Sequence, residues 1–314
     1  MFKLYKTPRP DLPYKRAGLE YLDNQKRPAT SSENGNPNIK KRPLQVGKAS
    51  IHDPKIPQPR AAEAGVVPKV PFRLLLSGAS GSGKTNVARW LLDKHYVSRF
   101  GAQKSWFDRI VLFSPTAKVD PVWKNLKGLA ESDRIVDVSP SRLRKVLNDA
   151  EQNVKRSGKE RGKHTLVILD DVIAESKFIN SPEFLTAFIR FRHFLGSIIV
   201  MTQSYVKVPR SARIQATHVI MFPSQPTEVE RLYSEYGPYN MRKKEFYNMI
   251  VDATTPNEQE PFPFVYIDRH APLEKRFRRN LDITLTAVGT KKGDAMPESK
   301  PIEEQESESK LNMS

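Results

Sequence analysis

Between residues 67 and 288, short apolar runs take turns with segments whose apolar positions recur every three or four residues. The runs are FRLLLS at 72–77, IVLFS at 110–114, IVDV at 135–138, TLVILD at 165–170, SIIVMT at 197–202, VIMF at 219–222 and FVYI at 264–267. Val, Ile and Leu on consecutive positions predict strands covered on both faces, as in a parallel sheet packed between helices. Helices are predicted over 84–95, 141–155, 182–194, 226–236 and 241–250. The triplet Ser181-Pro182-Glu183 reads as a helix start, with serine as the cap and proline in the first turn. Strands and helices in alternation predict an α/β fold, an open and mostly parallel central sheet flanked by helices with right-handed crossovers.

The flanks carry no such period. Clusters such as ATSSENGNPNIKKRP and IHDPKIPQPR make residues 1–66 a Pro-rich basic arm, and residues 289–314, ending EEQESESKLNMS, an acidic polar tail. Both are expected to be disordered, which leaves 67–288 as the folded domain. Lys and Arg number 52 against 35 Asp and Glu, a net charge of +17. Residues 1–70 carry 14 basic and 6 acidic side chains and residues 289–314 carry 4 and 6, so the segment between retains a surplus of 11 positive charges. A folded region that is itself basic points to a polyanionic partner, since Lys and Arg gain affinity by releasing counterions from phosphates. The absence of cysteine excludes disulfides, thiolate catalysis and Cys-ligated zinc. The six histidines show no metal-ligand spacing. No apolar stretch is long enough for a membrane helix, and the basic N-terminus lacks the apolar core of a secretory signal, so no membrane role is expected.

Four segments carry chemistry. GASGSGKT, residues 78–85, follows the strand at 72–77 and opens the helix at 84–95, the context that a phosphate-binding loop requires. Gly78, Ala79, Ser80, Gly81, Ser82 and Gly83 supply backbone N–H groups to phosphate oxygens, aided by the positive end of the helix. Lys84 neutralises the β- and γ-phosphates, and Thr85 offers its hydroxyl to Mg2+. TLVILDD at 165–171 ends a buried strand in two acids. Asp170 is the expected Mg2+ ligand and Asp171 the base or orienter for attacking water. SIIVMTQS at 197–204 presents Thr202 and Gln203 beside the γ-phosphate if its strand lies between the loop strand and the acid strand. VPRSARIQ at 208–215 holds Arg210 and Arg213, either of which is a candidate for insertion across a subunit boundary. Tyr233, Tyr236 and Tyr239, near RKKE at 242–245, either face DNA or pack an ordinary helix pair.

Together GASGSGKT, FDRIVLFSPTAKVDPVW (107–123), TLVILDD and MTQSYVKVPRSARIQ (201–215) resemble the viral DNA-packaging ATPases of the FtsK/HerA superfamily. The similarity is to the poxvirus-type packaging ATPases found also in virophages and polinton-like elements, and it spans roughly residues 70–270. The resemblance implies a P-loop NTPase of the ASCE class with a RecA-like fold, ATP with Mg2+ as its cofactors, and ATP rather than GTP as the nucleotide. It further implies a homo-hexameric ring that moves double-stranded DNA, independent of sequence, into a preformed capsid. A capsid protein or portal is the implied docking partner, and the virion or the host-cell site of assembly the implied location. It places the sensor glutamine at Gln203 and the arginine finger at Arg213. The family often has Asn two residues beyond that arginine, where this chain has Gln215. Two other readings of the residues remain: another P-loop enzyme such as a small-molecule kinase, for which no Arg-rich lid is evident, or a nucleotide-dependent assembly factor that pumps no DNA.

Overall fold

The computed structural model describes residues 56–98, 101–172, 175–286 and 289–290. In chain order the strands are β1 Arg73–Ser77, β2 Val97–Ser98, β3 Gly101–Ser105, β4 Arg109–Phe113, β5 Leu129–Ile135 and β6 Thr165–Asp170. They continue with β7 Gly196–Thr202, β8 His218–Met221, β9 Val265–Asp268, β10 Phe277–Arg279, β11 Ile283–Thr286 and β12 Gly289–Thr290. The helices are α1 Arg60–Glu63, α2 Lys84–His95, α3 Pro140–Arg161, α4 Ser176–Ile179 and α5 Pro182–Ile189, then α6 Arg210–Arg213, α7 Pro226–Tyr236, α8 Lys243–Thr254 and α9 Leu273–Arg276. Ten strands form one sheet in the order β12-β11-β10-β9-β8-β1-β7-β6-β4-β5, while β2 and β3 pair separately. From β5 to β8 every neighbour is parallel. Strands β9 to β12 extend the sheet in antiparallel fashion. The α/β class with a mostly parallel sheet is therefore what the chain adopts.

The apolar runs explain the layering. Every residue of β1, β6 and β7 is buried, and successive side chains alternate between the faces of the sheet. Leu75, Val167, Leu169, Ile198 and Val200 pack with residues of α3, α5, α7 and α8. Leu74, Leu76, Ile168, Ile199 and Met201 pack with Ala88, Leu91 and Leu92 of α2. Each such side chain contributes about 1.5–3 kcal/mol on leaving water, so the central strands anchor both layers. At the start of α5 the Ser181 hydroxyl accepts from the Phe184 N–H at 3.2 Å, with proline in the first turn as expected.

The differences from expectation lie where apolar patterning is weak. The strand expected at 135–138 is β5 at Leu129–Ile135, a mostly polar edge strand (LAESDRI) with no residue fully buried. The helix expected over 182–194 stops at Ile189. A 3-10 turn over Phe191–Phe194 follows, closed by Leu195 in the left-handed region at φ 57°. Residues 56–66, expected in the arm, belong to the folded body. Ile56 and Ala62 are buried, and the Gln58 amide exchanges two hydrogen bonds of 2.7 Å with the Val70 backbone. At the other end, β12 takes in Gly289 and Thr290, expected in the tail. The rest of the expected arm and tail, 1–55 and 291–314, lies outside the described residues. Among the described residues no helix is long and apolar enough to cross a membrane.

Candidate functional site

Strand β7 lies between β1 and β6, and all three run parallel. Their carboxyl ends therefore share one edge of the sheet, where ligands of open α/β sheets bind. The turn between β1 and α2 is shaped by glycine. A Cβ on Gly78 would come within 2.5 Å of the Phe222 side chain, and Gly81 (φ 75°) and Gly83 (φ 95°) are left-handed. Gly83 is also the residue that caps α2, so the loop closes as a concavity of backbone N–H groups on the helix's positive end. Lys84 heads α2, and its ammonium donates to the Gly78 and Ala79 carbonyls at 2.8 Å each. Burial lowers its pKa, and the negative charges of Asp171 and Asp170 oppose that shift. The Ser82 hydroxyl is buried with no hydrogen-bond partner among the described residues. A polyphosphate would supply acceptors for both groups. Ala79 and Ser80 are exposed, and Thr85 is half-buried.

Asp170 closes β6 and is 7% exposed. Its Oδ2 accepts the indole N–H of Trp123 at 2.9 Å. Burial raises the Asp170 pKa, the indole hydrogen bond works against this, and the nearby carboxylates of Asp120 and Asp171 push it up further. Trp123 is wholly buried in a 3-10 turn over Pro121–Trp123, which Asp120 caps by accepting from the Val122 N–H at 2.9 Å. Two arginines clamp this turn. Arg89 of α2 donates to the carbonyls of Val122 (2.5 Å) and Asn125 (3.0 Å). Arg134 of β5 donates to those of Ala117, Trp123 and Lys124 at 2.9–3.2 Å. The segment FSPTAKVDPVW is thus the scaffold of the acid. A buried carboxylate held by a neutral donor, with carboxylates around it and the Thr85 hydroxyl on the neighbouring helix, is an all-oxygen set suited to Mg2+.

Asp171 steps out of the strand with φ 54°, a left-handed conformation that Asp tolerates better than most residues. Both its carboxylate oxygens accept from the Gln203 side-chain amide at 3.1 Å. The register of β6 against β7 makes this contact, since Asp170 lies opposite Met201. Thr202 takes a different role. Its hydroxyl is buried in its own turn, donating to the Ser204 carbonyl and accepting from the Ser204 N–H.

Arg213, expected as the arginine finger, is enclosed within the chain. It is 4% exposed, and its guanidinium forks onto Glu235 at 2.7 and 3.1 Å. It also donates to the carbonyls of Val206 and Val208 and lies over the Tyr205 ring. The Tyr236 hydroxyl donates to the Arg213 carbonyl at 2.5 Å. The next carbonyl, that of Ile214, accepts from Arg269, which follows β9 and so sits at the amino end of antiparallel β8. The segment runs away from the nucleotide edge, and every donor of Arg213 that it needs is used within the chain. Arg210, on the same short helix, is exposed. For the tyrosines, helix packing accounts for two of three. Tyr236 is buried, and Tyr233 packs on Phe246 at 5.3 Å and donates to the Met241 carbonyl; Tyr239 is 96% exposed. Nothing local in the sequence marks Trp123, Arg89 or Arg134 as part of the site, although Trp123 ends the segment FDRIVLFSPTAKVDPVW.

The model of the Poxvirus A32 protein family matches residues 64–260. Among curated proteins, the DNA packaging protein OPG160 of Variola virus is 30% identical over 190 residues, covering 58% of this chain and 64% of the relative. Its counterpart from Monkeypox virus is 30% identical over 190 residues, 58% of this chain and 57% of the relative. The chain thus spans less than two thirds of the length of the curated relatives it matches. Among solved structures, the genome packaging NTPase B204 of Sulfolobus turreted icosahedral virus 2, in complex with AMP, aligns with a TM-score of 0.46 and 14% identity. That alignment covers 66% of this chain and 96% of the other.

Proposed function

This chain belongs to the Poxvirus A32 protein family, and from that premise we propose that it is an ATPase that translocates double-stranded DNA into a viral capsid. The observation that carries the chemistry is the convergence of Lys84, Asp170, Asp171 and Gln203 at the carboxyl ends of β1, β6 and β7. In this reading residues 78–85 cradle the triphosphate, and Lys84 leaves its two carbonyl partners to meet the β- and γ-phosphates. Thr85 and Asp170 hold Mg2+, which would offset phosphate charge and fix the geometry of the nucleotide. Asp171, turned outward and held by Gln203, takes the proton of the attacking water or orients it. Gln203 links that carboxylate to the end of β7 and so reports whether a γ-phosphate is present.

The DNA reading is supported by the 11 surplus positive charges between residues 71 and 288 and by the similarity to the OPG160 DNA packaging proteins. A basic surface that neutralises phosphates grips duplex DNA without reading its bases. The proposed assembly is a homo-hexameric ring docked on a capsid protein or portal, working in the virion or at the host-cell site of assembly. With Arg213 enclosed, Arg210 is the arginine of that segment available to a neighbouring subunit. The test is ATP hydrolysis by the purified chain with and without duplex DNA of random sequence. DNA should stimulate hydrolysis, and Lys84→Ala should abolish it. Wild-type turnover in Lys84→Ala, or indifference to DNA, would defeat the proposal.

A further inference from the structure

Phe262 is a large apolar side chain left 56% exposed, and it stands against the phosphate loop. A Cβ placed on Gly83 would meet Phe262 Cβ, Cγ and Cδ1 at 3.5, 3.6 and 3.7 Å. The backbone of the last loop glycine therefore already lies beside this ring. Its sequence context, Pro261-Phe262-Pro263, stiffens the chain on both sides, because proline fixes its own φ and restricts the residue before it. The surrounding loop is tied down as well. Glu260 accepts from Arg279 at 2.8 Å and from the Asn280 side-chain amide at 3.2 Å. Phe264 donates its N–H to Asn280 Oδ1 at 3.2 Å. Asn257 Oδ1 accepts the N–H groups of Gln259 and Glu260 at 2.9 and 2.7 Å. Phe264 itself packs on Phe222, which lines Gly78. An exposed aromatic on so well-fixed a backbone loses only its side-chain freedom, and little backbone entropy, when a flat partner covers it.

The strand order says which part of a ligand that partner is. Asp170 ends β6 and Asp171 follows it, two strands to one side of β1, and the Phe262 loop leads into β9, two strands to the other side. A nucleotide lying over the loop with its γ-phosphate toward the acids points its base toward Phe262. We propose that the Phe262 ring is the stacking platform for the purine base of the nucleoside triphosphate whose phosphates residues 78–85 cradle. This rests on the ATP reading of the loop. It adds a base contact that none of the four chemical motifs contains.

The experiment compares two ligands, ATP and inorganic tripolyphosphate, by calorimetric titration of the full chain. Aromatic–base stacking of roughly 1–3 kcal/mol corresponds to about 5- to 150-fold in affinity. Phe262→Ala should weaken ATP by that factor and leave tripolyphosphate unchanged, and Phe262→Trp should retain ATP binding. Lys84→Ala should weaken both ligands, which reports the phosphate site by itself. If Lys84→Ala weakens both while Phe262→Ala weakens neither, the platform is refuted and the ATP site stands. Equal loss of both ligands in Phe262→Ala would refute it as loop collapse. A changed oligomeric mass with unchanged ATP affinity would refute it in favour of a subunit contact. A wild-type chain that binds neither ligand would refute both readings.

Discussion

Replacing Arg213 by alanine should unfold the protein more readily instead of silencing a neighbour's active site. The guanidinium and the Glu235 carboxylate are 5% and 4% exposed and 2.7 Å apart at their closest. Burial alone would lower the Arg213 pKa, and the hydrogen bonds and charge of Glu235 reverse that and hold it above its ordinary value. Removing the arginine leaves a buried carboxylate with the Tyr205 hydroxyl, 2.6 Å away, and strips a donor from the Val206 and Val208 carbonyls. Breaking a buried pair from one side costs about 3–5 kcal/mol, against a total of about 5–15 kcal/mol for a typical domain. At about 2–4 °C per kcal/mol for a domain of 150–250 residues, the midpoint should drop by roughly 6–20 °C. Urea denaturation followed by tryptophan fluorescence reads the free energy, and differential scanning calorimetry reads the midpoint. Because apolar replacement of a whole buried pair is often neutral, Arg213→Met combined with Glu235→Leu should recover most of the loss. An Arg213→Ala protein with the parental denaturation curve and no ATP hydrolysis would overturn this account and restore the finger.

Two further outcomes follow from the same geometry. Trp123→Phe removes the N–H that opposes the raised Asp170 pKa, so the neutral carboxyl should persist to higher pH and the acid limb of the hydrolysis profile should move up. A hydrogen bond to a charged group contributes roughly 1.5–3 kcal/mol, so the acid limb should move up by about 1–2 pH units; an unchanged pH–rate profile would remove Trp123 from the site. Burial works to raise the Asp268 pKa, but the hydrogen bond and charge of His218, 3.3 Å away, hold the carboxyl well below the usual range. Its contribution to stability is then present above about pH 4 and is lost as pH falls below it. Asp268→Asn should accordingly be less stable than the parent at pH 7, with the gap closing toward pH 3, as urea midpoints across that range would show.

Local chemistry was enough to read much of this protein from its residues alone. Five of the seven apolar runs mark β1, β4, β6, β7 and β8, because a parallel strand covered on both faces needs Val, Ile and Leu without interruption. The phosphate loop is visible because only glycine accepts its left-handed turns and tight contacts, and the Ser181 cap because it satisfies an N–H three residues away. Where burial is partial the signal fades, as in edge strand β5, and strands as short as β10 (FRR) and β11 (ITLT) hold too few apolar positions to mark them. Strand order belongs to long-range packing. That β7 lies between β1 and β6, and so brings Gln203 onto Asp171, was a condition in the sequence and a fact only in the folded chain. Arg213 shows the limit most clearly. An arginine in a loop carries the same local chemistry whether it reaches a neighbour or not, and what takes up its guanidinium in the folded chain is Glu235, 22 residues on, delivered by a helix that packs beside it. Trp123 and Phe262 are likewise ordinary aromatics in sequence. Tertiary structure alone sets one on Asp170 and the other against the last glycine of the phosphate loop, because contact between distant segments is decided by how the layers pack.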